Sequence, residues 1–242
     1  MDILYKTNSK SSDLPANHME SSWKGLYKAG GMSAILYVIF ALSIPFFMFI
    51  DNTELSHMVS GSEILGLITK NGILWWVTLQ TFVLGTSFFA IITFIALFVA
   101  LSEVDKVKGL IGSAIAVVIH ILFIAYYPVM LALGFLANIY TVANSGQRQS
   151  IESAAEALLA INNAFNPLYE FVFAVSILIL SLAMLKGVFN KKVAYLGILT
   201  SISACVALAL FPLINIAYFW WWLLFMIWFV ALGLRLIKMG SA

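Results

Sequence analysis

GLIGSAIAVVIHILFIAYYPVMLALGFLANIY, residues 109–140, carries no charge. A helix needs roughly 20 mostly apolar residues to cross about 30 Å of hydrocarbon. The stretch is therefore either one long helix or a tight hairpin. The choice sets the number of membrane crossings, and with it the side on which every later segment lies.

The gaps between charges elsewhere define the other spans. Uncharged runs extend over residues 29–50, 71–102, 171–185 and 193–234. The first gives a helix over about 30–50 and the second a long helix over 73–101. The third run is short, but Glu170 fits one interface and Lys186 can snorkel to the other, so a helix over 167–187 is expected. Pro167 suits its first turn, where a missing N–H costs nothing. The last run divides at Pro212 to Asn215 into helices over 193–211 and 216–238.

Charge asymmetry settles the 109–140 stretch. If it is one helix, the tail, the 102–108 and 186–192 loops and the C-terminus share one side. That side then holds eleven of the thirteen basic residues, and the other keeps only Lys70 and Arg148. Such a bias marks the cytoplasmic face. A hairpin would put the Lys186–Lys192 cluster outside. The reading is an all-α, polytopic transmembrane bundle of six helices, with both termini cytoplasmic. Residues 1–29 are expected to form a mostly flexible polar tail, with Trp23 and Tyr27 near the membrane face. They lack the brief apolar core of a cleavable signal, so the first helix is expected to act as signal and anchor.

Composition agrees. Of 242 residues, 62% are hydrophobic and 10% charged, against roughly a quarter charged in a soluble domain. A net charge of +2 argues against a nucleic-acid partner. The single Cys205 makes neither an internal disulfide nor a Cys-ligated metal site. It reads as a buried small residue of a Gly197, Ser201, Cys205 packing face.

Two segments on the non-cytoplasmic side are long enough to fold. In residues 51–71, Ser62 followed by Glu63 starts a short amphipathic helix. In residues 145–166, Ser153-Ala-Ala-Glu156 matches a capping box. Both are expected to pack with the outer ends of the 73–101 and 109–140 helices into a small helical cap. Asp51, Glu54, His57 and Glu63 could ligate a metal on the outer face, but their spacing fits no metal-ligand motif. Trp75-Trp76 and Trp220-Trp221-Trp222 read as an interfacial aromatic belt, with a stacking platform for a ligand as the alternative.

An ionisable group at membrane depth is a functional hypothesis by default. His120 lies near the midplane, and Ser113, His120, Tyr127 and Gly134 share one helix face. Pro128 is expected to kink that helix and free the Ile124 carbonyl. These groups could line a wet intramembrane cavity, or His120 could be a packed, hydrogen-bonded neutral ring. Thr86, Ala90 and Thr93 form a packing seam, with Gln80 and Ser87 on an adjacent stripe; a polar path is the alternative. Glu170 is favoured by the helix N-terminus, or else forms a proton or cation site with Asn166 or Tyr169. The candidate cavity residues are His120, Tyr127, Ser113, Gln80 and Glu170. No catalytic, cofactor-binding or metal-binding residue is assigned, because the sequence holds no H-E-x-x-H, P-loop or G-x-S-x-G motif and no convincing internal repeat.

Several segments carry a family likeness. Asn166-Pro-Leu-Tyr-Glu170 opens the fourth span, Ala183 to Gly197 joins it to the fifth, and Trp228 to Lys238 closes the chain. With Gly30-Gly-Met-Ser-Ala-Ile-Leu-Tyr37, residues 22–238 resemble the prokaryotic six-helix membrane family catalogued as domain of unknown function 4386. The resemblance implies a bacterial or archaeal plasma-membrane protein and supplies no catalytic residues.

Three function classes follow. The first is a binding or accessory membrane protein, holding a lipid or small apolar ligand, or serving a partner membrane protein or homo-oligomer. The second is a small-solute or ion transporter, which requires a continuous polar route. The third is a lipid-modifying enzyme, which requires a second titratable group within reach of His120.

Overall fold

The computed structural model of the chain describes residues 16–50, 60–187, 189–210 and 215–241, with side chains from 23–45, 60–187, 189–210 and 219–241. The described residues are helical throughout, apart from short joints. Six helices follow one another: α1 (Ala16–Ile50), α2 (Gly61–Asn71), α3 (Ile73–Val142), α4 (Ser145–Met184), α5 (Lys191–Leu210) and α6 (Asn215–Ser241). All but α2 are long and apolar enough to cross a membrane. Asp51, Glu54, His57 and the Pro212 division lie outside the described residues.

Helix α3 is a hairpin. Inside it only Asp105 leaves the helical region, at φ −152° and ψ 76°. The arms on either side, residues 73–104 and 106–142, run antiparallel. Leu101 lies against Gly109, the Phe94 ring meets His120 at 5.9 Å, and the Trp76 indole donates to the Met130 carbonyl at 2.9 Å. Asp105 caps the second arm, its Oδ1 accepting the Lys108 N–H at 3.2 Å. Its Oδ2 pairs with Lys108 at 2.9 Å and with Lys186 at 2.8 Å. The second pair brings the joint of α3 to the loop between α4 and α5. The 109–140 stretch is thus one helix that stays helical through Pro128, and the loop expected over 102–108 narrows to the single non-helical residue Asp105.

The helices close into a ring in which α1 packs on α3 and α6, α3 on α4, and α5 on α4 and α6. Glycines let α1 approach two neighbours at once. A Cβ on Gly30 would lie 2.2 Å from the Ala96 Cβ of α3, and one on Gly31 would lie 2.6 Å from the Gly233 carbonyl of α6. The Gly30 carbonyl accepts from Thr93 Oγ1 at 3.1 Å. Thr93 and Ala90 are fully buried, so the small-residue seam is a helix contact.

The structure departs from the sequence-based expectations at several points. Helix α1 spans Ala16–Ile50, so the chain is already helical over 16–29, within the expected flexible tail. Helix α4 runs unbroken from Ser145, taking in the segment expected as a separate cap helix. Its capping box is Asn144 with Gln147; Ser153 lies in mid-helix and donates to the Gln149 carbonyl. Pro167 is therefore internal, and it lacks the N–H that would reach the Asn163 carbonyl. Helix α2 is capped by Ser60 rather than Ser62, with Glu63 as the reciprocal partner. Cys205 is exposed. It lies on an apolar hollow of about 310 Å³ between α4 and α5, with Ala174, Leu178 and Val206.

Forty residues of helix measure about 60 Å at 1.5 Å per residue, twice the hydrocarbon thickness. The surplus length of α4 serves the cap. Ile64, Leu65 and Ile68 of α2 pack with Trp76 and Leu79, with Leu133 and Ala137, and with Ala155 and Leu159. Gly61 makes room for this, since a Cβ there would lie 2.3 Å from the Glu152 carbonyl. Gly72 turns the chain from α2 into α3 at φ 88°, a conformation glycine adopts without strain.

Candidate functional site

Two hollows open inside the bundle at the α2 end. The upper one, about 270 Å³, lies beneath Ile64 of α2 and is bounded by Trp76, Gln80, Tyr126, Asn162, Asn163 and Asn166 among others. The lower one, about 230 Å³, is bounded by Tyr37, Thr86, Tyr169, Glu170, Trp221 and Phe225 among others. Phe123 and Asn166 line both, so the hollows adjoin, and the two together are called the cleft below.

Helix α4 supplies its polar spine. Asn162, Asn166 and Glu170 recur every four residues, which places them on one helix face. Asn166 Nδ2 donates to Asn162 Oδ1 at 3.2 Å, and the Tyr126 hydroxyl donates to the same oxygen at 3.3 Å. These bonds hold the two amides in place. The Tyr126 ring also stacks on Phe165 at 4.6 Å. Glu170 is 9% exposed. Among the described residues, neither lining contains a lysine or arginine.

His120 stands behind the cleft wall. It is 1% exposed, between Phe94 and Phe173. Its Nδ1 lies 2.7 Å from the Ala116 carbonyl, which can only accept, so Nδ1 carries the proton. In the neutral ring Nε2 then accepts, and the Tyr169 hydroxyl donates to it at 3.1 Å. Tyr169 in turn faces the lower hollow. His120 is a packed, doubly bonded ring that orients a cleft tyrosine.

The five candidate residues therefore separate. Gln80 and Glu170 line the cleft. His120 reaches it through Tyr169. Ser113 is buried away from it, and its Oγ has no hydrogen-bond partner among the described residues. Tyr127 is half-buried beside Thr81 and lines neither hollow. The tryptophans separate as well. Trp76 is 1% exposed, a core residue rather than a belt residue. Trp220 faces outward, while Trp221 and Trp222 line the lower hollow.

Asn162 and Asn163 escaped the sequence reading. For Asn162 the signal is the four-residue spacing through Asn166 to Glu170, a series that Asn163 does not belong to. It is masked when Pro167 is taken as a helix start, because the asparagines then fall in a separate segment. Among the described residues no cluster of three or more His, Cys, Asp or Glu side chains could hold a metal ion. No known family, curated protein or solved structure matches the chain.

Proposed function

We propose that this chain is a multi-pass membrane protein that binds a small molecule in the cleft between α1, α3, α4 and α6. The observation that carries this reading is the pair of adjoining hollows sharing Phe123 and Asn166. A polar spine of Asn162, Asn166 and Glu170 runs along α4 there, faced by Gln80 and Thr86 of α3. Polar side chains at membrane depth are costly unless they pair or serve a ligand. A few convergent polar groups in a mainly apolar cleft are the usual composition of a binding site.

The orientation we propose has both termini and the lysine-rich loops in the cytoplasm, with α2 as an outer lid over the cleft. The basic residues at the Asp105 end support it. A bacterial or archaeal plasma membrane is the setting implied by the family resemblance of residues 22–238.

Binding is favoured over transport by what lies beyond the cleft. Past Phe173 the bundle is filled by Leu97, Leu101, Ile177, Leu180, Leu232 and Leu236, all fully buried. A transport route would have to open this packed half. An enzymatic role for His120 has weaker support. Tyr169 is the second titratable group such a role needs, but its proton points at His120, and the imidazole is walled in.

Native mass spectrometry of the gently extracted protein tests the proposal, with wild type beside Asn166→Leu. A small molecule or lipid that rides with the wild type and is lost from the variant is the expected result. Identical bare spectra for both proteins, or a bound protein partner with no small ligand, would overturn it.

A further inference from the structure

Seven of the ten described residues bounding the lower hollow are aromatic, and the other three are Thr86, Asn166 and Glu170. Among its walls, Tyr37 meets Phe225 at an interplanar angle of 83°, and Phe173 meets Phe225 at 74°. Trp221 and Trp222 enter from the same helix as Phe225.

Each part of this lining constrains the ligand. Aromatic faces carry negative quadrupole potential, and a cation near several faces is attracted to all of them. Rings set nearly at right angles make the corner of a box, whereas a flat base or a sugar ring asks for parallel plates. Glu170 is the one carboxyl group among the described residues of this wall, and a cation bound beside it would favour its ionised form in a low-dielectric site. A volume of about 230 Å³ falls below the roughly 300 Å³ where pockets for drug-sized ligands begin. It suits a head group of a few heavy atoms. A bare metal ion would want several hard oxygen ligands, and one carboxylate among hydrocarbon rings is a poor set.

We propose that the lower hollow is an aromatic box for an alkylammonium group, with Glu170 as counter-charge and Asn166 at its entrance. This deepens the binding reading above and rests on it. The upper hollow, with its amides, would hold the polar remainder of the same molecule. The ammonium group has two sources, a free solute or the head group of a membrane lipid.

The test uses the full-length detergent-solubilised protein, with intrinsic tryptophan fluorescence as readout because Trp221 and Trp222 line the box. Choline is titrated against 3,3-dimethylbutan-1-ol, its neutral carbon isostere. The expected result is saturable quenching by choline, with at least tenfold weaker binding of the isostere. Glu170→Gln should reduce the choline preference to about threefold or less. Equal binding of the two probes would overturn the cation assignment while leaving the binding cleft intact. Should neither probe bind and nothing ride with the protein in native mass spectrometry, both proposals fail. The wild-type comparison of the two probes stands even if the Glu170 variant does not fold. Reconstitution into nanodiscs of phosphatidylglycerol alone, or with phosphatidylethanolamine, separates the two sources. Blocking of choline binding by phosphatidylethanolamine identifies a lipid head group, and unchanged choline binding identifies a free solute.

Discussion

The Tyr169 hydroxyl donates to His120 Nε2 across 3.1 Å, joining residues 49 positions apart on α4 and the second arm of α3. The bond lies where the polar cleft meets the packed core. Tyr169→Phe would keep the ring and leave Nε2 buried without its donor. An unsatisfied buried group costs about 1–3 kcal/mol, so the variant should melt earlier in detergent. His120→Phe removes the acceptor and fills the space with another apolar ring. If the hydroxyl matters only through His120, adding Tyr169→Phe to His120→Phe should cost much less than in wild type. A double-mutant cycle on thermal melts checks this, and full additivity would mean that the bond is not a coupled pair.

Gly31 and Gly233 hold α1 against α6. A Cβ on Gly31 would meet the Gly233 carbonyl at 2.6 Å, and backbone cannot step aside as a side chain can. Gly31→Ala should therefore force the helices apart, at about 1–3 kcal/mol for overpacking. Gly66 in α2 is the contrast, since a Cβ added there would find nothing within 4 Å. There Gly66→Ala should stabilise by about 0.5–1 kcal/mol through helix propensity alone. Opposite signs in side-by-side melts are the expected outcome. A neutral Gly31→Ala would show that the interface tolerates separation.

The membrane spans were legible because charge is so costly in hydrocarbon that uncharged runs mark them directly. The 109–140 stretch followed from the positions of distant lysines. Helix starts were harder to read. Asn144–Gln147 and Ser153–Glu156 both match the same capping pattern, and a cap is worth only about 1 kcal/mol. Burial of Ala155 and Leu159 against α2 sets the choice, and no local motif records it. Pro167 misled for a related reason. A proline inside a helix is tolerated in a membrane bundle when neighbours accommodate the freed carbonyl. The upper part of the cleft stayed hidden with it, since Asn162 joins Asn166 and Glu170 on one helix face only if α4 is continuous.

The Asp105 ion pairs make a pH prediction with a definite sign. Lys186, and then Lys108, hold its carboxyl far below the ordinary value near 3.8. A carboxyl whose folded pKa is depressed contributes stability above its unfolded value and loses it as pH falls through the folded one. Asp105→Asn keeps a side chain able to cap the second arm of α3 and removes only the charge. The wild type should be more stable than this variant from pH 7 down to about pH 5. The gap should then close as the pH falls below about 4. High salt should narrow it as well, because the two lysines are exposed. Thermal melts over a pH series read the effect. A gap that does not change with pH would assign the stabilisation to the cap alone.

The proposed orientation can be read from two engineered thiols. In a Cys205→Ser background, Gly66→Cys puts a thiol on the exposed side of α2, with no neighbour within 4 Å of its Cβ position. Lys191→Cys puts one at the start of α5, beside the loop that reaches Asp105 through Lys186. With both termini in the cytoplasm, a membrane-impermeant maleimide added to intact cells should label the first and spare the second. Permeabilised cells should show both labelled. The two positions lie at opposite ends of the bundle, so one reagent in one experiment reports both faces. Labelling of Lys191→Cys alone in intact cells would invert the orientation and turn the mouth of the cleft toward the cytoplasm. The molecule it holds would then have to come from inside the cell.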